Sequence, residues 1–188
     1  MKTTIIIGSV RNERRSHLLA NFIQQQLSAK GTETDIIDLS RTPLPVYGMD
    51  GPDTAHIAPI SRKLEQSDAL ILVTPEYHGS FSGALKNMLD YYWAEFQKKP
   101  IGVATASSGK MGGINASSQL QHVILSLGAY ALPLKLLVPE IHQAFDDTNS
   151  PVHESVTGNT EKFLNEFLWY TDAIYQKKAR ESSMVSIG

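Results

Sequence analysis

The chain has 188 residues, of which 17 are basic and 19 acidic, so its formal charge is −2. This length suits one domain, which can bury roughly 70% of the surface that its unfolded form exposes. The near-neutral balance argues against a nucleic-acid footprint or a polybasic membrane patch. The sequence contains no cysteine, which excludes disulfides, thiolate nucleophiles and cysteine-ligated metal centres.

The apolar runs of the sequence are short. None approaches the ~20 residues that a transmembrane helix needs. The run from Thr3 to Ile7 is too brief for a signal-peptide core, and Gly8, Ser9 and charged residues follow it at once. We therefore expect a soluble cytoplasmic protein without membrane or nucleic-acid partners.

Five apolar runs rich in β-favouring residues alternate with segments whose apolar residues recur at helical spacing. The predicted strands are residues 4–7, 34–39, 69–74, 101–106 and 130–138. Pro133 interrupts the last run, which is typical of an edge strand or of one that bends. The alternation predicts right-handed crossovers and a doubly wound parallel α/β sheet. Ligands of such sheets bind beyond the carboxyl ends of the strands, where the strand order reverses.

The helical segments are bounded by turn residues. Their predicted positions are residues 15–30, a short helix over 57–64, a stripe from 84 to about 98, residues 116–127 and residues 163–175. The proline- and glycine-rich segment 40–59 is expected to be a long irregular loop, and 140–158 a polar connection. We expect one domain spanning residues 1–188, with a frayed tail after about residue 179.

The loop after the first strand has the composition of a phosphate site. Residues 8–16, GSVRNERRS, combine hydroxyls, a glycine and three arginines directly before a helix N-terminus. Backbone N–H groups, hydroxyls, the helix dipole and arginine all favour a bound phosphate. The segment is neither a P-loop nor a GxGxxG fingerprint. A helix cap with solvated arginines remains the alternative.

Two further loops follow the third and fourth strands. After Pro75, the backbone of one loop is placed to pair with the edge of a heterocycle, and Tyr77 and His78 offer flat polar rings. Glu76 is interpreted as a residue that orients this loop. Residues 107–113 contain three glycines, which let a backbone lie close to a planar ligand. An ordinary strand-to-helix turn and a mobile loop are the respective alternatives.

Other chemistry finds little support in the sequence. The histidines show no paired metal-ligand spacing, so His142 and the others are interpreted as surface or helix residues. No GxSxG elbow supports a serine hydrolase.

Taken together, GSVRNERRS, PEYHGSFSGALKNMLDYY and SSGKMGGINA resemble three motifs of the NAD(P)H-dependent FMN reductase family, in particular its azobenzene reductase type. The resemblance covers nearly the whole chain. It implies a flavodoxin-like three-layer sandwich with a five-stranded sheet in the order 2-1-3-4-5. It also implies an enzyme that passes a hydride from NADPH or NADH through FMN to quinone, azo, flavin or metal-oxyanion acceptors by a ping-pong mechanism.

The resemblance assigns the cofactor site residue by residue. It implies that the FMN phosphate is held by Ser9, Arg11, Arg15 and Ser16. It implies that the isoalloxazine is lined by Pro75, Glu76, Tyr77, His78 and Gly79, and along its other edge by Ser107, Gly109, Gly112 and Gly113. Many family members have Asn at the position of His78. Arg14 is left to face NADPH, a partner subunit or water.

The resemblance also implies a homodimer or homotetramer, for which exposed residues of the third helix, Tyr91, Trp93 and Phe96, are expected to supply the contact. No protein side chain is assigned a catalytic role, because the chemistry is implied to take place on the flavin. A flavodoxin-like electron carrier or redox sensor without NAD(P)H oxidation is the main alternative. Flavodoxins usually have a strongly acidic surface, so the three arginines and the near-neutral charge favour the reductase.

Overall fold

A computed structural model describes residues 1–49 and 54–185 of the chain. Its five strands form one parallel sheet in the order β2-β1-β3-β4-β5, which confirms the predicted fold. The strands are β1 (Lys2–Ile7), β2 (Glu33–Asp38), β3 (Ala69–Thr74), β4 (Pro100–Ala106) and β5 (Tyr130–Val138). The helices are α1 (Ser16–Ala29), α2 (Ile57–Glu65), α3 (Gly83–Tyr91), α4 (Ile114–Ser126), α5 (Ile141–Ala144) and α6 (Glu154–Val185).

The sheet is buried on both faces, which is why its central strands are continuous apolar runs. Ile5 and Ile7 of β1 belong to the core beneath α1 and α6. Ile6 between them belongs to the opposite core, beneath α2, α3 and α4. Within the part of the chain that the structure describes, no helix combines the length and apolarity that crossing a membrane requires.

Strand β5 lies at the edge of the sheet and is irregular, as Pro133 predicts. Its register with β4 shifts between the pairs Ile101–Ala131 and Val103–Lys135. Proline cannot donate a ladder hydrogen bond, so the edge position and the irregularity both accommodate it.

Several helix boundaries differ from the sequence predictions. Helix α2 begins at Ile57, so Pro59 lies in its first turn, where a missing N–H costs little, and the irregular segment ends earlier than expected. The connection 140–158 contains α5 and the start of α6. Helix α6 continues to Val185, past the expected end of the last helix. Residues 50–53 of the predicted loop and 186–188 of the predicted tail lie outside the described residues.

The predicted third helix was too long. It ends at Tyr91, because Tyr92 is extended with φ −126° and ψ 136°. The Tyr92 ring is buried, and its hydroxyl donates to the Ile57 carbonyl over 3.0 Å. A 3₁₀ turn then buries Phe96 completely, while Trp93 is 66% exposed. The expectation that Phe96 is a surface residue was therefore wrong, since its helical spacing reflects core packing by a different backbone.

Helices α1 and α3 leave neighbouring strands on opposite faces of the sheet, so the strand order reverses between β1 and β3. Gly8 sits at this point, and its N–H donates to the Val73 carbonyl over 2.8 Å. The Ser82 hydroxyl donates to the Gly8 carbonyl over 2.5 Å and accepts from the Leu85 N–H as the N-cap of α3. A Cβ on Gly8 would lie 2.9 Å from the Leu85 Cβ, so only glycine fits.

We expect Ser82→Ala to lower the free energy of unfolding by about 1–3 kcal/mol. The change removes a helix cap and leaves the buried Gly8 carbonyl without its donor. Urea unfolding followed by circular dichroism measures the loss. Ser126→Ala is the matched control, because Ser126 is exposed and, among the described residues, its hydroxyl bonds only the His122 carbonyl of its own helix. Equal, small effects of the two substitutions would contradict the prediction.

Candidate functional site

A cavity of about 200 Å³ lies beyond the carboxyl ends of the strands, where the loops after β1, β3 and β4 meet. Its walls also include α5, which follows β5. The lining residues are Ser9, Arg11, Glu13, Arg14, Arg15, Ser16, Pro75, Glu76, Tyr77, Ala106, Ser107, Ser108, Ile141 and His142. The cavity is therefore at the place where a doubly wound sheet binds its ligand.

The first loop offers donors that have no protein partner in the described residues. Ser16 opens α1, and its buried hydroxyl has no hydrogen-bond partner there. No side chain caps this helix at Arg15. Arg11 and Arg15 line the cavity with exposed side chains. An uncapped helix N-terminus, an orphan hydroxyl and two free cations fit a phosphate group.

Arg14 pairs with a carboxylate of its own chain. None of the three alternatives drawn from the sequence anticipated this contact. Its Nη2 lies 2.7 Å from Oδ2 of Asp38, at the end of β2. The two side chains are only 16% and 12% exposed. Asp38 was not singled out in the sequence, because a lone carboxylate at a strand end carries no local signal.

The second loop is a tight hairpin. The N–H of Tyr77 donates to the Ser80 carbonyl over 2.8 Å, and the N–H of Ser80 donates back over 3.0 Å. The two central residues, His78 and Gly79, have φ values of 50° and 77°. Positive φ at both central positions defines a type I′ turn, which favours Asn-Gly. On backbone grounds, Asn would therefore fit at residue 78 as well as His does.

The hairpin is fastened to α4 by two side chains. The Glu76 carboxylate accepts the N–H groups of Asn115 and Ala116, at 3.1 and 3.2 Å, and so occupies the N-terminus of α4. Gln119, one turn further on, donates to the Gly79 carbonyl over 2.8 Å and accepts from the Ser80 hydroxyl over 2.7 Å. These contacts support the interpretation of Glu76 as a residue that orients its loop.

The first and second loops also touch directly. The Tyr77 hydroxyl lies 3.3 Å from the hydroxyl of Ser9, which is buried. Pro75, Glu76 and Tyr77 line the cavity, whereas His78 is exposed at the hairpin tip and does not. Both loops are thereby held in a fixed relation at the switch point.

The third loop divides into two parts. Ser107 lines the cavity, and its hydroxyl accepts the Gly109 N–H over 3.2 Å. Gly112 and Gly113 are buried outside the cavity with φ values of 63° and 84°. A Cβ on Gly113 would lie 2.8 Å from the Thr105 Cβ. Backbone conformation and packing thus explain these two glycines without any ligand.

Of the predicted site residues, the structure brings eight to the cavity: Ser9, Arg11, Arg15, Ser16, Pro75, Glu76, Tyr77 and Ser107. It leaves His78, Gly79, Gly109, Gly112 and Gly113 outside the lining. Sequence reasoning missed Glu13, Ala106, Ser108, Ile141 and His142. Ile141 and His142 could have been predicted from their position just after the fifth strand, because the carboxyl ends of parallel strands lie at one edge of the sheet.

Comparison with solved structures identifies the class of fold. The chain is similar to the flavoenzyme NAD(P)H:(acceptor) oxidoreductase FerB from Paracoccus denitrificans, with a TM-score of 0.78, 23% identity and coverage of 93% of this chain and 97% of that one. It is also similar to an archaeal flavodoxin, with a TM-score of 0.61, 11% identity and coverage of 93% and 99%. The fold is flavodoxin-like.

The family follows from sequence comparison. The family model described as NADPH-dependent FMN reductase matches residues 1–143. An NADPH azoreductase of Bacillus sp. (strain OY1-2) is 30% identical over 163 residues, which cover 83% of this chain and 89% of that protein. An FMN-dependent NADPH-azoreductase of Staphylococcus haemolyticus is 34% identical over 146 residues, covering 72% and 76%. The chain belongs to the NADPH-dependent FMN reductase family.

The hairpin geometry predicts opposite outcomes for two glycines. A methyl group added at Gly79 or at Gly158 of α6 would meet no described residue within 4 Å, so the two positions differ mainly in backbone conformation. We expect Gly79→Ala to cost about 1–2 kcal/mol of unfolding free energy, because it forces alanine into the left-handed region. Gly158→Ala, in a helix, should gain about 0.5–1 kcal/mol. Thermal unfolding of both variants measures the difference in stability. Stabilisation by Gly79→Ala would exclude a type I′ turn.

Proposed function

We propose that this protein is an FMN-containing oxidoreductase that uses NADPH or NADH to reduce small acceptors. The observation that carries the proposal is the uncapped start of α1. There the orphan hydroxyl of Ser16 and the free cations Arg11 and Arg15 face one cavity at the switch point of a flavodoxin-like sheet. Membership of the NADPH-dependent FMN reductase family supports the same cofactor and co-substrate.

In this proposal the first loop holds the phosphate of FMN. Ser9 and Ser16 supply hydroxyls, the first turn of α1 supplies backbone N–H groups, and Arg11 and Arg15 supply charge. Because no side chain in the described part of the chain caps the α1 terminus, phosphate binding displaces no such cap. The affinity for FMN over riboflavin is then set largely by this loop.

The second and third loops hold the flavin ring in the same proposal. Pro75, Glu76 and Tyr77 on one side and Ser107 on the other line the cavity. His78, Gly79, Gly109, Gly112 and Gly113 contribute to the same proposal through the backbone shape of the two loops. Glu76 and Gln119 fix the hairpin against α4, so its backbone is positioned before the ring arrives. When bound, FMN supplies hydride chemistry that protein side chains lack. No protein acid or base is assigned to that transfer.

The substrates are proposed by class. The names of the Bacillus and Staphylococcus relatives support an azo compound as one acceptor. We extend the proposal to quinones, free flavins and metal oxyanions, reduced by a ping-pong mechanism in which the nicotinamide leaves before the acceptor binds. We further propose a homodimer or homotetramer in the cytoplasm, acting as one domain. Trp93, exposed beside α3, and the half-buried Tyr91 are the remaining candidates for a subunit contact.

The first experiment separates the enzyme from an electron carrier. The purified protein is loaded with FMN, and its visible spectrum is recorded without oxygen before and after NADPH is added. Bleaching of the flavin band, followed by recovery with an azo dye or a quinone, is the expected result. A yellow protein that NADPH does not bleach would make it a carrier, and failure to bind FMN would exclude both functions. Intersecting initial-velocity plots would exclude the ping-pong order.

The phosphate site predicts the effect of two substitutions. We expect Arg11→Ala with Ser16→Ala to raise the Kd for FMN by about 100-fold or more, since each change removes a hydrogen bond to a charged group that contributes ~1.5–3 kcal/mol. The Kd for riboflavin, which lacks the phosphate, should change little. Quenching of flavin fluorescence measures both constants. Arg62→Ala, on α2 and away from the cavity, is the control. An unchanged FMN affinity would place the phosphate elsewhere.

A further inference from the structure

Arg14, which lines the cavity, forms an ion pair with Asp38 at the end of β2. Nη2 of Arg14 lies 2.7 Å from Oδ2 of Asp38, and both side chains are largely buried. Nη1 of Arg14 donates to the Arg11 carbonyl over 3.5 Å, and the Arg14 N–H donates to the same carbonyl over 3.2 Å. The pair therefore connects the end of β2 to the turn that carries Arg11.

The second oxygen of Asp38 holds the next loop of the chain. Oδ1 accepts the Ser40 N–H over 3.1 Å and the Ser40 hydroxyl over 2.9 Å. The Asp38 carbonyl accepts the Thr42 N–H and hydroxyl, each over 3.0 Å. One residue thus anchors both the loop after β1 and the loop after β2.

The three arginines of the first loop consequently have different electrostatic roles. Arg11 and Arg15 are exposed and have no acidic partner within salt-bridge distance among the described residues. The charge of Arg14 is compensated by Asp38 at close range. A largely buried cation paired in this way contributes little net charge to a neighbouring dianion.

We propose that Arg14 is a positioning residue for the cofactor phosphate and that Asp38 anchors Arg14. This inference rests on the proposed function. Together the two residues fix the Arg11 turn, so that the free cations Arg11 and Arg15 meet the phosphate in a set geometry. Arg14 Nε is buried without a partner in the described chain, and it is the donor through which a direct phosphate contact would be made instead.

Asp38→Asn distinguishes a positioning role of Arg14 from a direct phosphate contact, because the two roles predict opposite changes in the Kd for FMN. If Asp38 positions the loop through Arg14, loss of the charge-assisted bond weakens FMN binding, and we expect the Kd to rise about three- to tenfold. If Arg14 acts only as a cation on the phosphate, removal of the nearby carboxylate leaves the site more positive, and FMN binds more tightly. Tighter or unchanged FMN binding overturns the proposal.

Further variants distinguish a positioning role of Arg14 from a general loss of folded structure. Arg14→Ala and Asp38→Asn should be non-additive in a double-mutant cycle, because each breaks the same pair. Arg14→Lys, which keeps a cation for Asp38, should restore most of the FMN affinity. The Kd for riboflavin should stay within about twofold of wild type, because only phosphate contacts depend on this turn. Additive effects, or an equal loss for riboflavin, count against the proposal.

Asp35→Asn is the matched control. Asp35 lies on the same strand and pairs with Lys63 at 2.8 Å, away from the cavity. The substitution removes a more exposed ion pair of the same strand without touching the phosphate loop, so FMN affinity should be unchanged. The wild-type titration tests the proposed function separately, since a wild-type protein that fails to bind FMN rejects that function before any variant is compared.

Discussion

The site depends on the contact between β1 and β3 at Gly8. When two adjacent parallel strands send their helices to opposite faces, the loops that follow them diverge, and the gap between these loops becomes the ligand site. Gly8 allows Leu85 of α3 to approach where any side chain would collide with it. Ser82 then satisfies the Gly8 carbonyl and the start of α3 with one buried hydroxyl. The geometry of both flanking loops is set from this point.

Around this point, protein contacts hold the first and second loops in place. Asp38 and Arg14 hold the first loop, and Glu76 and Gln119 hold the second against α4. The Ser16 hydroxyl has no described protein partner. A ligand that enters such a site does not have to order the loops, so less of its binding energy is lost to conformational entropy. The arrangement favours tight retention of a cofactor over transient binding of a substrate.

The sheet was predictable because buried parallel strands are continuous apolar runs, and Ala69–Thr74 was located to the residue. The end of α3 was not predictable. Tyr92 and Phe96 keep helical spacing, yet an extended residue and a 3₁₀ turn bury them equally well. For the candidate site, Ser16 and Arg11 could be found because they are local to one loop. The Arg14–Asp38 pair joins residues 24 positions apart, and only the tertiary structure reveals it.

The hairpin illustrates how the backbone can constrain sequence without fixing the side chain. The turn needs positive φ at residue 78, which asparagine tolerates best, and histidine is also enriched there among non-glycine residues. His78 keeps the left-handed conformation at φ 50°, so the Tyr77 and Ser80 bonds and the Gln119 contact remain intact. The identity of the side chain at residue 78 therefore alters only what the hairpin tip exposes. An imidazole presents a flat ring with a basic nitrogen, which an amide lacks, so the chemistry offered beside the cavity can vary while the loop that supports it stays the same.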